Sequence, residues 1–134
     1  LHDVEDVVKK LASRYRLTAI ILFGSHARGD WGPWSDYDLL IIGDFEEKYV
    51  DRIGEILELL SDIRIPVEPH PYTLQEALQM LGEGNPLIVD AIEEGRVLYR
   101  SEDYDRLLEA FRRLREKGMR RSNTSIILPE TGDA

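Results

Sequence analysis

The stretch Gly24–Leu40, "GSHARGDWGPWSDYDLL", lies between two apolar runs, and its reading decides the fold. Leu17–Phe23 ahead of it is a continuous apolar run of strand length, closed by Gly24. Asp38–Ile42 behind it opens a second buried strand. Ser25 is read as the N-cap of a short helix reaching about Gly29. Gly32, Pro33 and Ser35 mark a loop that Trp31 and Trp34 are expected to pin. A soluble core interrupted by a glycine-serine turn, then resumed with two carboxylates two residues apart, needs a reason. Like charges at that spacing repel unless something holds them.

Working outward, His2–Tyr15 has Val4, Val7, Val8 and Leu11 at helical spacing. Glu46–Ser61 is expected to be a helix with Tyr49, Ile53, Ile56, Leu57 and Leu60 along one face. Arg64–His70 reads as an extended segment restricted by nearby prolines. Thr73 with Glu76 three residues later spells a capping box. Asn85-Pro86 opens another helix ending near Gly95, Val97–Tyr99 is a short edge strand, and Glu102–Lys117 is a charged helix. Strands separated by helices give an α/β class: a mixed β-sheet flanked by helices in a single domain over residues 1–118. Residues 119–134 are expected to be a loosely ordered C-terminal tail. The direction of the first strand pair stays open, because its linker is near the minimum length for a parallel crossover.

The 134 residues carry a net charge of −9 and no cysteine. That charge disfavours a broad nucleic-acid footprint, so nucleic acid is not expected as the main partner. Thiolate chemistry, disulfides and cysteine-ligated zinc are excluded, and the composition suits a reducing, cytoplasmic setting. No apolar run approaches the ~20 residues of a membrane span and no secretory leader is visible, so no membrane partner is expected.

A strand that ends in glycine and turns into a helix start exposes backbone N–H groups, and glycine lets an anion approach them closely. Ser25 can add its hydroxyl, and Arg28 lies one turn on, within reach of a phosphate. Asp36 and Asp38, if both on a strand, share a face with Cα atoms about 6–7 Å apart and can chelate a hard cation such as Mg²⁺. Two such ions about 3.5–4 Å apart would clamp a phosphoryl or nucleotidyl transfer. Each half alone is weak: Gly-Ser is commonly a plain helix start, and Asp-x-Asp commonly faces water. A nucleoside triphosphate with its cation needs both.

The segment "FGSHARGDWGPWSDYDLLII" resembles the active-site segment of the nucleotidyltransferase superfamily that includes DNA polymerase beta and kanamycin nucleotidyltransferase. It is most similar to the prokaryotic minimal nucleotidyltransferase branch, whose pattern of Gly-Ser, ten residues and Asp-x-Asp is matched by Gly24, Ser25, Asp36 and Asp38. The resemblance spans roughly residues 1–100. It implies a nucleotidyltransferase that moves a nucleoside monophosphate, AMP from ATP, to a hydroxyl acceptor with Mg²⁺, two ions being expected. It further implies a third carboxylate on a later strand, usually Asp, for which "IPVEPHP" offers Glu68. Strand alternation puts Arg64, Pro66, Glu68 and His70 on one face. Members of this branch commonly accompany a helical HEPN protein as antitoxin and toxin, so such a protein is an expected partner and a possible acceptor. Two other readings stand beside the enzyme: an antitoxin-type module that masks its partner by contact, and a nucleotide-binding protein without transfer.

The remaining signals are bland. A lone His70 beside prolines is more often structural than a ligand, and His2 and His26 carry no clear role. Arg64–His70 also spells Arg-x5-His, but on an extended segment rather than a helix. Arg28–Asp30, "RGD", belongs to the glycine turn. Met119–Arg121, "MRR", fits the charge preference of a helix C-terminus.

Overall fold

Leu17–Phe23 forms strand β1 with all seven residues buried, because helices cover both faces of the sheet to which it belongs. The computed structural model describes residues 2–30, 32, 35–122 and 125–129. Helix α1 (His2–Arg14) precedes β1, and the single turn α2 (Ser25–Arg28) follows it. Then come β2 (Tyr37–Gly43), α3 (Tyr49–Leu59), β3 (Val67–Tyr72), α4 (Leu74–Gly82), α5 (Pro86–Glu94), β4 (Arg96–Arg100) and α6 (Tyr104–Glu116). A two-residue ribbon, β5 (Arg120–Arg121) with β6 (Ile126–Ile127), closes the described chain. Trp31 and Trp34, expected to pin the loop, lie outside the described residues. None of the described helices is long and apolar enough to cross a membrane.

The main sheet runs in the order β3-β2-β1-β4. The open question of the first strand pair is decided: β1 and β2 are antiparallel, with Phe23 opposite Asp38. The α3 crossover makes β2 and β3 parallel, with Asp38 opposite Glu68. The sheet is therefore mixed. On one face Ile20, Leu22, Leu39 and Ile41 pack with Val7 and Leu11 of α1 and Ile56 of α3. On the other, Ile21, Leu40 and Ile42 pack with Ala77, Leu81, Ile88, Val89 and Leu107 from α4, α5 and α6.

Local signals set the helix ends. Thr73 accepts from the Glu76 N–H while the Glu76 carboxylate accepts from the Thr73 N–H, the reciprocal capping box expected from sequence. Asn85 accepts from the Leu87 N–H, with Pro86 at the first helical position.

Three expectations change. Helix α3 is shorter than Glu46–Ser61, because the Glu47 carbonyl accepts from Arg52 Nε at 2.7 Å and holds the approach out of helical geometry. Its buried face carries Arg52 and Ile56, and Leu57 turns to solvent at 46% exposure. The described part of the stretch read as a loose tail is the β5–β6 ribbon: Met119 is buried, and Arg121 pairs with Asp90 and Glu93 on α5 instead of serving the end of α6.

Arg52, 7% exposed, is the one buried charged side chain among the described residues. Its guanidinium donates to the Pro71 carbonyl at 3.3 Å and to both Glu76 oxygens at 2.7 and 3.3 Å, and it lies 5.5 Å from the Phe45 ring centroid. One side chain thus ties α3 to the end of β3 and to the α4 cap. Arg52→Met is expected to cost about 3 kcal/mol in denaturant unfolding, the low end for a broken buried pair because Glu76 is partly exposed. The Arg52 guanidinium holds the Glu76 carboxyl below its ordinary value of 4.5. A depressed folded-state pKa gives stability that is full above the ordinary value and lost as pH falls through the folded one. The Arg52→Met protein should therefore lose less stability than the parent on acidification below 4.5, read as melting temperature against pH.

Candidate active site

Gly24 ends β1 with φ 75° and ψ −154°, a conformation open to glycine and closed to other residues. The position also has no room: a Cβ there would lie 2.5 Å from Asp38 Oδ2. The glycine thus lets the turn into α2 sit directly against the first acid of β2. Gly24 itself is the N-cap and Ser25 the first helical residue, which corrects the expected Ser25 cap. The Gly24 carbonyl takes the Ala27 and Arg28 N–H groups, and the Ser25 carbonyl takes those of Gly29 and Asp30. The Ser25 hydroxyl makes no hydrogen bond with the described residues and stays available.

The pairing of β2 with β3 brings Asp38, Glu68 and His70 together, each offering a ligand atom within 4.8 Å of the others. His70 Nε2 is 3.4 Å from Asp38 Oδ1, and its ring packs at 5.2 Å against Phe23. The hydrogen bond that the protonated Glu68 carboxyl donates to the Asp38 carboxylate, then burial and the Asp38 charge, push the Glu68 carboxyl above its ordinary value, with Asp36 adding a smaller repulsion. Two carboxylates and an imidazole at this spacing fit a hard or borderline divalent cation, since carboxylate oxygens suit Mg²⁺ and an added imidazole suits Mn²⁺.

Asp36 departs from the expectation of two acids on one strand. Pairing of β2 begins at Tyr37, so Asp36 is an exposed loop residue, and its carboxylate lies outside the three-residue group. Arg28 is exposed and pairs with Asp30 at 3.2 Å. His70, read from sequence as structural, is in the cluster; the signal was its i+2 spacing from Glu68 on an extended segment. Sequence also gave His26 no role, yet its ring stacks on Tyr37 at 3.7 Å and its Nε2 meets the Ser35 carbonyl at 3.0 Å. That contact couples the glycine turn to the chain beside Asp36. No sequence pattern marks a stacking partner eleven residues away.

A mixed sheet whose one end sets an acid cluster against a glycine turn defines a small α/β domain. The profile of the nucleotidyltransferase domain family matches residues 4–99, and the chain belongs to that family and is a nucleotidyltransferase. A protein of Methanocaldococcus jannaschii, MJ0604, named as a candidate protein adenylyltransferase, is 35% identical over 99 residues, covering 72% of this chain and 94% of that one. A second from that organism, MJ1379, named likewise, is 33% identical over 65 residues, 46% of this chain and 63% of that one. Among solved structures, a toxin–antitoxin complex with AMP-PNP aligns at TM-score 0.56 and 17% identity, over 87% of this chain and 89% of that one. A tri-AMPylated Shewanella oneidensis HEPN toxin in complex with an MNT antitoxin aligns at 0.51 and 15%, over 85% of each chain. The structural likenesses support the fold.

Gly24→Ala is expected to cost about 2 kcal/mol from its backbone conformation and to push the Asp38 carboxylate out of the cluster. Thermal unfolding and a crystal structure of the variant check both effects.

Proposed function

We propose that this chain transfers AMP from ATP to a hydroxyl group of a partner protein. The observation that carries the reading is the register that sets Asp38 against both the Gly24 turn and Glu68. The names of the similar proteins support adenylyl transfer to protein. The toxin–antitoxin complexes among the similar structures support a helical HEPN partner.

In this reading Gly24 and Ser25 receive the triphosphate, with Arg28 at its outer edge once released from Asp30. Asp38 and Glu68, with His70 beside them and Asp36 contributing from its loop, would hold the divalent cation, Mg²⁺, with two ions expected. A divalent cation held there would supply neutralisation of phosphate charge and Lewis-acid polarisation. Glu68, on the outer strand, takes the proton from the acceptor hydroxyl. The acceptor oxygen bonds to the α-phosphorus as the bond to the β-phosphate oxygen breaks, and pyrophosphate leaves with that electron pair. Positioning and charge neutralisation supply most of the acceleration. A cytoplasmic setting suits both ATP and such a partner. A second reading, an antitoxin-type module that masks a HEPN protein by contact, rests on the same structural neighbours.

Incubation with α-labelled ATP and the co-purifying partner is expected to label the partner. Asp38→Asn and Glu68→Gln should each lower the transfer rate by a factor of about 100 or more. Transfer that survives both substitutions would overturn the assignment. Undiminished inhibition of the partner by the inactive double variant would favour masking by contact.

A further inference from the structure

Along β3, Glu68, His70 and Tyr72 share one face by strand alternation. Tyr72 forms the floor of a groove of about 320 Å³ lined by Tyr49, Tyr72, Glu76, Gln79, Met80 and Glu83. The last four stand at i, i+3, i+4 and i+7 of α4 and its C-terminal cap, so one helix face makes the wall. The two tyrosine rings are 5.0 Å apart and inclined by 31°, with their hydroxyls bonded at 3.4 Å. Glu76 is already committed to Arg52 and to the Thr73 cap. The Glu83 carboxylate accepts a hydrogen bond from Gln79 Nε2 at 3.5 Å and has no cationic partner among the described residues. An aromatic pair beneath an uncompensated carboxylate, with a pliable methionine beside it, complements an extended side chain ending in a positive charge.

The outer edge of β3 excludes the commonest alternative. The Tyr37 N–H donates to the Pro66 carbonyl, so even-numbered residues of β3 face β2 and odd-numbered ones face outward. Pro69 and Pro71 therefore stand where outward N–H donors would be, and Arg52 already occupies the Pro71 carbonyl. A peptide cannot add to this edge as another strand, so recognition beside the site falls to side chains.

We propose that the Tyr49–Tyr72–Glu83 groove binds an arginine or lysine side chain of the acceptor protein, fixing which hydroxyl reaches Glu68. This deepens the reading of a protein acceptor and rests on it. Glu68 and Tyr72 are four residues apart on an extended strand, roughly 13 Å. The bound cation should then lie about four residues from the accepting hydroxyl in an extended acceptor segment.

The test uses acetylated, amidated glycine peptides with one tyrosine and one arginine, the arginine either adjacent to the tyrosine or about four residues away. A third peptide has glutamate in place of the distant arginine. Binding to the full chain is followed by NMR at the Met80 methyl and the tyrosine rings without nucleotide, and labelling is followed with α-labelled ATP. The distant-arginine peptide is expected to bind about tenfold tighter than either other peptide. Glu83→Lys, a change at an exposed site, is expected to remove that advantage while leaving the melting temperature unchanged. Equal affinity for the arginine and glutamate peptides, or an advantage that survives Glu83→Lys, overturns the groove. Labelling that ignores arginine position also overturns it and leaves nucleotidyl transfer to protein standing. Selective binding with no label on any peptide keeps the groove and counts against tyrosine as the acceptor.

Discussion

The position of β2 between an antiparallel and a parallel neighbour is the constraint on which the rest depends. One residue, Asp38, is opposite Phe23 on one side and Glu68 on the other. A slip of one residue in either ladder would turn its carboxylate to the opposite face of the sheet. Burial forbids the slip: Leu39, Leu40, Ile41 and Ile42 alternate between two fully formed cores, each of which would receive the wrong side chains. The same apolar run that stabilises the sheet therefore aims the acid.

Two devices extend that precision to the ends of the strands, where pairing stops. At Gly24 the absence of a side chain lets the turn close against Asp38. At the outer strand, Arg52 reaches from α3 to the Pro71 carbonyl and the α4 cap, so β3 is held on its open side as well as by β2. The two prolines of β3, Pro69 and Pro71, leave its ladder to β2 intact but deprive its outer edge of N–H donors at those positions, so that edge is held through the Pro71 carbonyl. The buried arginine thus supports the site from the opposite side of the strand.

The acidity of the chain, −9 overall, poses a problem for a protein that handles triphosphate. At the site Asp38 and Glu68 crowd one another, and the hydrogen bond between them, burial and the Asp38 charge hold the Glu68 carboxyl above its ordinary value. Two carboxylates so placed are costly without a cation and favourable with one.

What the sequence determined was what short-range chemistry controls. The strand β1, the capping box at Thr73, the Asn-Pro helix start, and the spacing of Gly24, Ser25, Asp36 and Asp38 are all local patterns, legible because each depends on neighbours a few residues away. Glu68 was legible only by resemblance and alternation. Tertiary structure alone decided the antiparallel direction of the first pair, the arrival of His70 beside Asp38, the position of Asp36 in a loop, the burial of Arg52 and the docking of the β5–β6 ribbon on α5. Each of these joins residues far apart in the chain, and a side chain's partner across a sheet follows from which strands pair and in what register. That choice is made by the packing of both cores at once, which no single segment contains.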